Sequence, residues 1–171
     1  GASHALTIRR PVRIVQHAPG WFSVDGTPTD CVNLGLFQIL DRPPHLVLSG
    51  INAGYNLGDD VTYSGTVAGA LEARLLGTPS LAVSTERGAG SAEYAAVADV
   101  AINLAREVLS RGLPLDAFLN VNVPPGARGF RVTRQGRRRL QEGLRAERDA
   151  HGESFYWVGL APSEWIHEPG P

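Results

Sequence analysis

Between His45 and Thr66 the chain carries the residue types needed to hold a small anion. The stretch HLVLSGINAGYNLGDDVTYSGT opens on an apolar run, Leu46-Val47-Leu48, and passes into a loop rich in Gly, Asn and Asp that ends in Ser64-Gly65-Thr66. In an open α/β sheet such a loop lies beyond the C-terminal end of a strand, where ligands collect. Gly50, Gly54, Gly58 and Gly65 allow tight turns and bring backbone N–H groups close to a ligand. Asn52, Asn56, Ser64 and Thr66 add neutral donors and acceptors. The apolar helix pattern beginning at Val67 offers its positive end to the same place.

Each of these residues has a plainer use. The Asn52 amide oxygen is a hard donor suited to Mg²⁺, Mn²⁺ or Ca²⁺, but Asn is also a turn former, and Asn56 is similar. Asp59-Asp60 is an acidic pair for metal or acid–base work, or a solvated approach to the next helix. Ser64 or Thr66 can cap that helix, and capping leaves neighbouring N–H groups open for phosphate. The histidines at 4, 17, 45, 151 and 167 show no metal spacing. His4 could reach a site but reads first as a solvated loop residue, and Cys31 as a small buried apolar side chain rather than a nucleophile.

Composition removes several classes. All 16 basic residues are Arg, so Schiff-base chemistry and a P-loop lysine are absent. No GxSxG elbow occurs, and Gly50-x-x-x-Gly54 lacks the dinucleotide spacing. The net charge of −1 gives no steering toward nucleic acid, and no apolar run approaches the roughly 20 residues of a membrane helix. One cysteine and no visible signal peptide point to a cytoplasmic location.

The elements that position the loop follow from periodicity. Strands are predicted over residues 6–15, 21–24, 46–48, 81–83 and 118–123. Helices are predicted over 28–40, with Thr27 as N-cap and Pro28 and Asp30 in the first turn, over 67–76, and over 91–111. Strand and helix alternate, which predicts an α/β fold: a three-layer, Rossmann-like, mostly parallel sheet over residues 1–125. Beyond Pro125, eight of the 16 arginines lie between Arg128 and Arg148. With strands predicted at 130–133 and 155–158 and a loop-like tail after them, residues 126–171 read as a projecting arm. TRQGRRR at 133–139 lacks interleaved aromatics, so a salt-bridged subunit contact or a secondary phosphate-binding role is favoured over RNA binding.

Taken in order, GTPTDCV at 26–32, LVLSGINAGYNLGDDVTYSGTV at 46–67, PSLAVS at 79–84, NVNVP at 120–124, TRQGRRR at 133–139 and FYW at 155–157 resemble the SurE family of survival-protein nucleotidases. The resemblance runs from about Ala5 to Trp157. It implies a metal-dependent phosphomonoester hydrolase acting on nucleoside 5′- and 3′-monophosphates, with short polyphosphate as an accessory substrate. It implies that Asn52 is a metal ligand, that Asn56, Ser64, Gly65 and Thr66 line the phosphate, and that the arginine-bearing arm makes homodimer or homotetramer contacts.

The family's Asn-Asp-Asp-Gly motif, whose acidic pair holds the metal, and its Ser-Ile-Thr-Pro-like ending have no match here; Asp59 and Asp60 correspond to a later acidic position. The chain therefore reads as an internal fragment with one of several metal ligands, incomplete at both ends and expected to bind metal poorly and turn over little. No catalytic residue is assigned. The alternative is an inactive SurE-like fragment serving as an oligomeric scaffold or phosphate-binding module.

Overall fold

The computed structural model describes residues 3–139, 144–158 and 164–166, and the chain divides into two compact units, Gly1–Phe130 and Arg131–Pro171. In the first unit a β-hairpin, β1 (Ile14–Ala18) and β2 (Trp21–Val24), precedes α1 (Pro28–Leu34). Then follow β3 (Val47–Ala53), α2 (Gly65–Leu75), β4 (Ser80–Thr85), α3 (Ser91–Arg111) and β5 (Leu119–Val123). Strands β3, β4 and β5 form a parallel sheet in that order. Among the described residues no helix is long and apolar enough to cross a membrane.

The central strand β4 is buried along its whole length, and its alternation sorts the two faces. Leu81 and Val83 pack with Val97, Ala101 and Val108 of α3 and with Val123 of β5. Burying each of these two is worth about 1.5–3 kcal/mol. Ala82 packs instead with Val67 and Ala70 of α2, and the Ser80 hydroxyl donates to the Ala70 carbonyl (2.5 Å). The helices thus lie on opposite faces, giving the three layers expected. Because β3→β4 and β4→β5 advance in the same direction, crossovers on opposite faces must be of opposite hand. One of them departs from the usual right-handed rule.

Two glycines let β3 and α2 come close to their neighbours. The β3–β4 register shifts between Ser49 and Asn52, and a Cβ on Gly50 (φ +131°) would lie 2.3 Å from the Val83 carbonyl oxygen. A Cβ on Gly69 of α2 would lie 2.8 Å from Ser49 Oγ. The helix therefore rests directly on β3.

The start of α1 is a complete capping box. Thr27 Oγ1 accepts from the Asp30 N–H (3.1 Å), and the Asp30 carboxylate accepts from the Thr27 N–H (2.7 Å). Asp30 also accepts from the Thr7 N–H (2.9 Å) and hydroxyl (2.6 Å), and Thr27 Oγ1 donates to the Ala5 carbonyl (2.6 Å). Residues 5–7 are strapped to this helix end. Further along, Glu72 of α2 is 7% exposed and takes Asn33 Nδ2 and His4 Nε2, each at 2.6 Å. His4 is thus an exposed loop residue, as expected, that also tethers the N-terminal segment to α2.

Several sequence expectations are corrected. The strand predicted at 6–15 begins only at Ile14: its earlier residues bond the Thr27–Asp30 cap, and Ile8 is 85% exposed. The helix expected to Leu40 leaves α geometry after Leu34 for a π-helical turn, Gly35–Ile39. Cys31 is exposed, not buried. Desolvation of its sulfur and the neighbouring Asp30 carboxylate push its thiol pKa up, which disfavours the nucleophilic thiolate.

In the second unit β6 (Arg137–Arg139) pairs with β9 (Glu164–Ile166), and β7 (Leu144–Arg148) pairs antiparallel with β8 (Ser154–Val158). No strand forms at 130–133, where Val132 is fully exposed, and the tail expected to be loop-like contains β9. The remaining tail residues lie outside the described set.

Burial alone would raise the Asp30 carboxyl, but the hydrogen bonds from Thr7 and Thr27 outweigh it and hold the pKa at about 2 against an ordinary 3.8. Its folded value is depressed, so its stabilisation, about 2 kcal/mol, is complete above about pH 4 and is lost as pH falls toward 2. Asp30→Asn is expected to unfold more easily by about that amount at pH 7, with the gap to the parent closing by pH 2. A constant gap in urea melts across that range would contradict this. Gly50→Ala is expected to cost about 2 kcal/mol or more, against about 1 kcal/mol for Gly20→Ala, where nothing lies near the added Cβ. Equal losses in the same melts would show that the Gly50–Val83 approach is not required.

Candidate functional site

The candidate site lies at the C-terminal ends of β3, β4 and β5. The chain leaves β3 toward α2 on one face and leaves β4 toward α3 on the other. Where neighbouring strands send their connections to opposite faces, the loops part and a crevice opens beyond the strand ends. Asn52 stands at that end of β3. In register it faces Ser84 of β4, which faces Asn122 of β5. Three polar residues thus form a row across the sheet at the crevice.

The loop from β3 to α2 runs over this row. Its Gly54 N–H donates to the Thr85 carbonyl (2.8 Å), tying the exit of β3 to the end of β4. Asn56 is the next anchor and is 6% exposed. Its N–H donates to Asn122 Oδ1 (2.8 Å), and its carbonyl accepts from Asn122 Nδ2 (3.1 Å) and Asn120 Nδ2 (3.0 Å). Its own Nδ2 donates to the buried Ser84 hydroxyl (2.8 Å). After a 3-10 turn, Gly58–Tyr63, Ser64 caps α2 by accepting the Val67 N–H at Oγ (3.2 Å).

Each residue singled out in the sequence has a definite place here. Ser64, Gly65 and Thr66 are half-buried at the start of α2. Val67 and Ala68 donate their N–H groups to Ser64, which leaves the Gly65 and Thr66 N–H groups as open donors of the first turn among the described residues. Asn52 Nδ2 donates to the Gly54 carbonyl (2.6 Å), which orients the amide and leaves Oδ1 as its acceptor. Asn56 also anchors the loop: one amide hydrogen of Nδ2 goes to Ser84, and the second and Oδ1 remain for other partners. Asp59 and Asp60 sit in the first turn of the 3-10 segment.

Asn120, Asn122 and Ser84 were not identified from sequence. The strict alternation Asn120-Val121-Asn122-Val123 was the available signal. It puts both asparagines on one face of β5 while Val121 and Val123 face the α3 side.

A divalent cation needs several hard oxygen donors, usually with carboxylates among them. Among the described residues no three His, Cys, Asp or Glu side chains are grouped to hold one. A single Asn52 amide oxygen does not make a cation shell. The residues present fit an oxyanion better, through two open N–H groups, the Ser64 and Thr66 hydroxyls and the positive end of an 11-residue helix.

Comparison with known proteins gives a consistent result. The family profile described as survival protein SurE matches residues 1–142. The protein named 5′-nucleotidase SurE in Syntrophotalea carbinolica is 52% identical over 169 residues, covering 98% of this chain and 68% of that protein. Its namesake in Geobacter sulfurreducens is 51% identical over 160 residues, covering 91% of this chain and 61% of that protein. The crystal structure of the SurE protein from Aquifex aeolicus superposes with a TM-score of 0.78 at 43% identity, covering 93% of this chain and 66% of that one. The chain thus spans about two thirds of the length of such relatives. Matching them along nearly all of its own sequence, and in fold, it belongs to the SurE family.

Proposed function

We propose that this chain carries the phosphate-holding part of a 5′-nucleotidase, a hydrolase that cleaves nucleoside 5′-monophosphates, and 3′-monophosphates as a second substrate. The observation that carries the reading is the start of α2, where the open N–H groups of Gly65 and Thr66 are accompanied by the Ser64 and Thr66 hydroxyls. Relatives named 5′-nucleotidase SurE support the substrate class.

In hydrolysis, water forms the new P–O bond as the P–O bond to the nucleoside breaks, and negative charge spreads over the phosphoryl oxygens. Donors fixed in advance stabilise that charge without reorganising. Gly65 and Thr66 N–H, with the Ser64 and Thr66 hydroxyls, take this role. Asn56 anchors the loop through its backbone and one amide hydrogen, and its second amide hydrogen is a further donor for the phosphate. Asn52 Oδ1 is the chain's contribution to a divalent ion, Mg²⁺, Mn²⁺ or Ca²⁺, whose remaining ligands are not among the described residues. No step is assigned to that ion.

We also propose self-association through the second unit. Leu144, Tyr156 and Val158 share one face of the β7–β8 ribbon and are 66%, 61% and 80% exposed. A two-stranded ribbon is marginal alone, so an apolar face of this kind favours contact with a second copy. Dimer or tetramer both satisfy it.

Two measurements test the nucleotidase reading. Adenosine 5′-monophosphate is expected to shift the Gly65 and Thr66 amide resonances where adenosine does not, and Ser64→Ala to weaken the effect about fivefold. Equal responses to the two compounds would contradict the phosphate assignment. Mn²⁺ added to this chain is expected to bind no tighter than about 1 mM, and Asn52→Ala to abolish what binding there is. Tight stoichiometric binding, or binding unchanged in the variant, would overturn the role given to Asn52.

A further inference from the structure

We infer that Asn122 is a positioning residue: its side chain clamps the Asn56 backbone and thereby fixes where the loop delivers Ser64, Gly65 and Thr66. The inference rests on reading those three residues as phosphate donors, and it concerns what aims them.

The clamp is bidentate. Asn122 Oδ1 accepts the Asn56 N–H at 2.8 Å while Nδ2 donates to the Asn56 carbonyl at 3.1 Å. One side chain thus does for Asn56 what a neighbouring strand does for a strand residue, satisfying both backbone groups at once. Asn120 adds a second donor to the same carbonyl at 3.0 Å, and Asn56 Nδ2 reaches across to Ser84 at 2.8 Å. Between the tie at Gly54 and the 3-10 turn at Gly58–Tyr63, no other described residue has both backbone groups held by the sheet.

The residue type is specific to this task. Asn is disfavoured in strands, yet β5 places two of them at alternate positions. A local preference set aside in this way signals a tertiary requirement. The clamp needs a donor and an acceptor in one short planar group. Asp keeps the acceptor but sets a carboxylate against the Asn56 carbonyl, Ala supplies neither, and Gln adds a methylene that displaces the loop. Groups acting on a transferring phosphoryl must be held to about 0.5 Å; Val61 packs the later part of the loop against the cluster of Val67, Ala70 and Ala82, and the Asn122 clamp fixes its earlier part by hydrogen bonds.

The test uses the ¹⁵N-labelled 171-residue chain, inorganic phosphate as the probe, and amide hydrogen exchange. In Asn122→Ala, exchange at the Asn56 amide is expected to rise about tenfold while Val83 and Ala101 amides keep their protection. The phosphate midpoint at Gly65 and Thr66 is expected to rise about fivefold, with Asn122→Asp no better than Ala. Asn120→Ala, which leaves both Asn122 bonds intact, is expected to move both readouts in the same direction by a smaller factor. It carries the test if Asn122→Ala does not fold.

Faster exchange at Asn56 with an unchanged phosphate midpoint would overturn the positioning role. So would loss of protection spread evenly over β4 and α3, which marks a merely structural residue. Unchanged exchange at Asn56 would overturn the clamp itself. A parent chain whose Gly65 and Thr66 amides ignore phosphate would sink the cradle reading as well, an outcome separable because the exchange readout does not depend on phosphate.

Discussion

A loop leaving the end of a strand has backbone N–H and C=O groups but no ladder to receive them. In this protein the ends of the neighbouring strands supply the partners through side chains. Asn122 and Asn120 take the Asn56 backbone, Ser84 takes its amide, and the Thr85 carbonyl takes the Gly54 N–H. Ser84 is fully buried and Asn56 nearly so, which is tolerable because each has a partner. The course of the chain from Gly54 to Asn56 is set by these bonds.

The crevice beneath that loop comes from topology. Two successive crossovers of opposite hand put α2 and α3 on opposite faces of a three-stranded parallel sheet, so the loops after β3 and β4 part at their outer ends. Packing then brings α2 close: Gly69 lets its backbone meet Ser49, and Ala70 and Ala73 are wholly buried. A helix seated this closely carries its first turn to the C-terminal end of the sheet. There the backbone partial charges favour an anion. The straps from Thr7 to Asp30 and from His4 to Glu72 join the N-terminal segment to the same helix pair.

Much of this was legible where short-range chemistry decides the outcome. The Thr27-Pro28-x-Asp30 cap, the 21-residue helix Ser91–Arg111 and the strand Trp21–Val24 follow from residue type and period alone. Elements decided by distant partners were not. Residues 6–13 alternate like a strand, but Asp30 claims Thr7 before any strand does. The run Arg137–Arg139 carries no apolar residue, so no alternation betrays it as a strand. The residue type of Asn56 suits a ligand, while its part as an anchor depends on Asn122, 66 residues away. Glu72 lies on the apolar side of α2 for a similar reason, its partners being in α1 and the N-terminal segment.

The central claim is that this anchored loop and the first turn of α2 together hold a phosphate group. A crystal structure of the chain soaked with adenosine 5′-monophosphate tests it most directly. The account predicts phosphoryl oxygens within hydrogen-bonding distance of the Gly65 and Thr66 N–H groups, with the Asn56–Asn122 bonds intact. A nucleotide bound elsewhere, with the first turn of α2 facing only solvent, would contradict it.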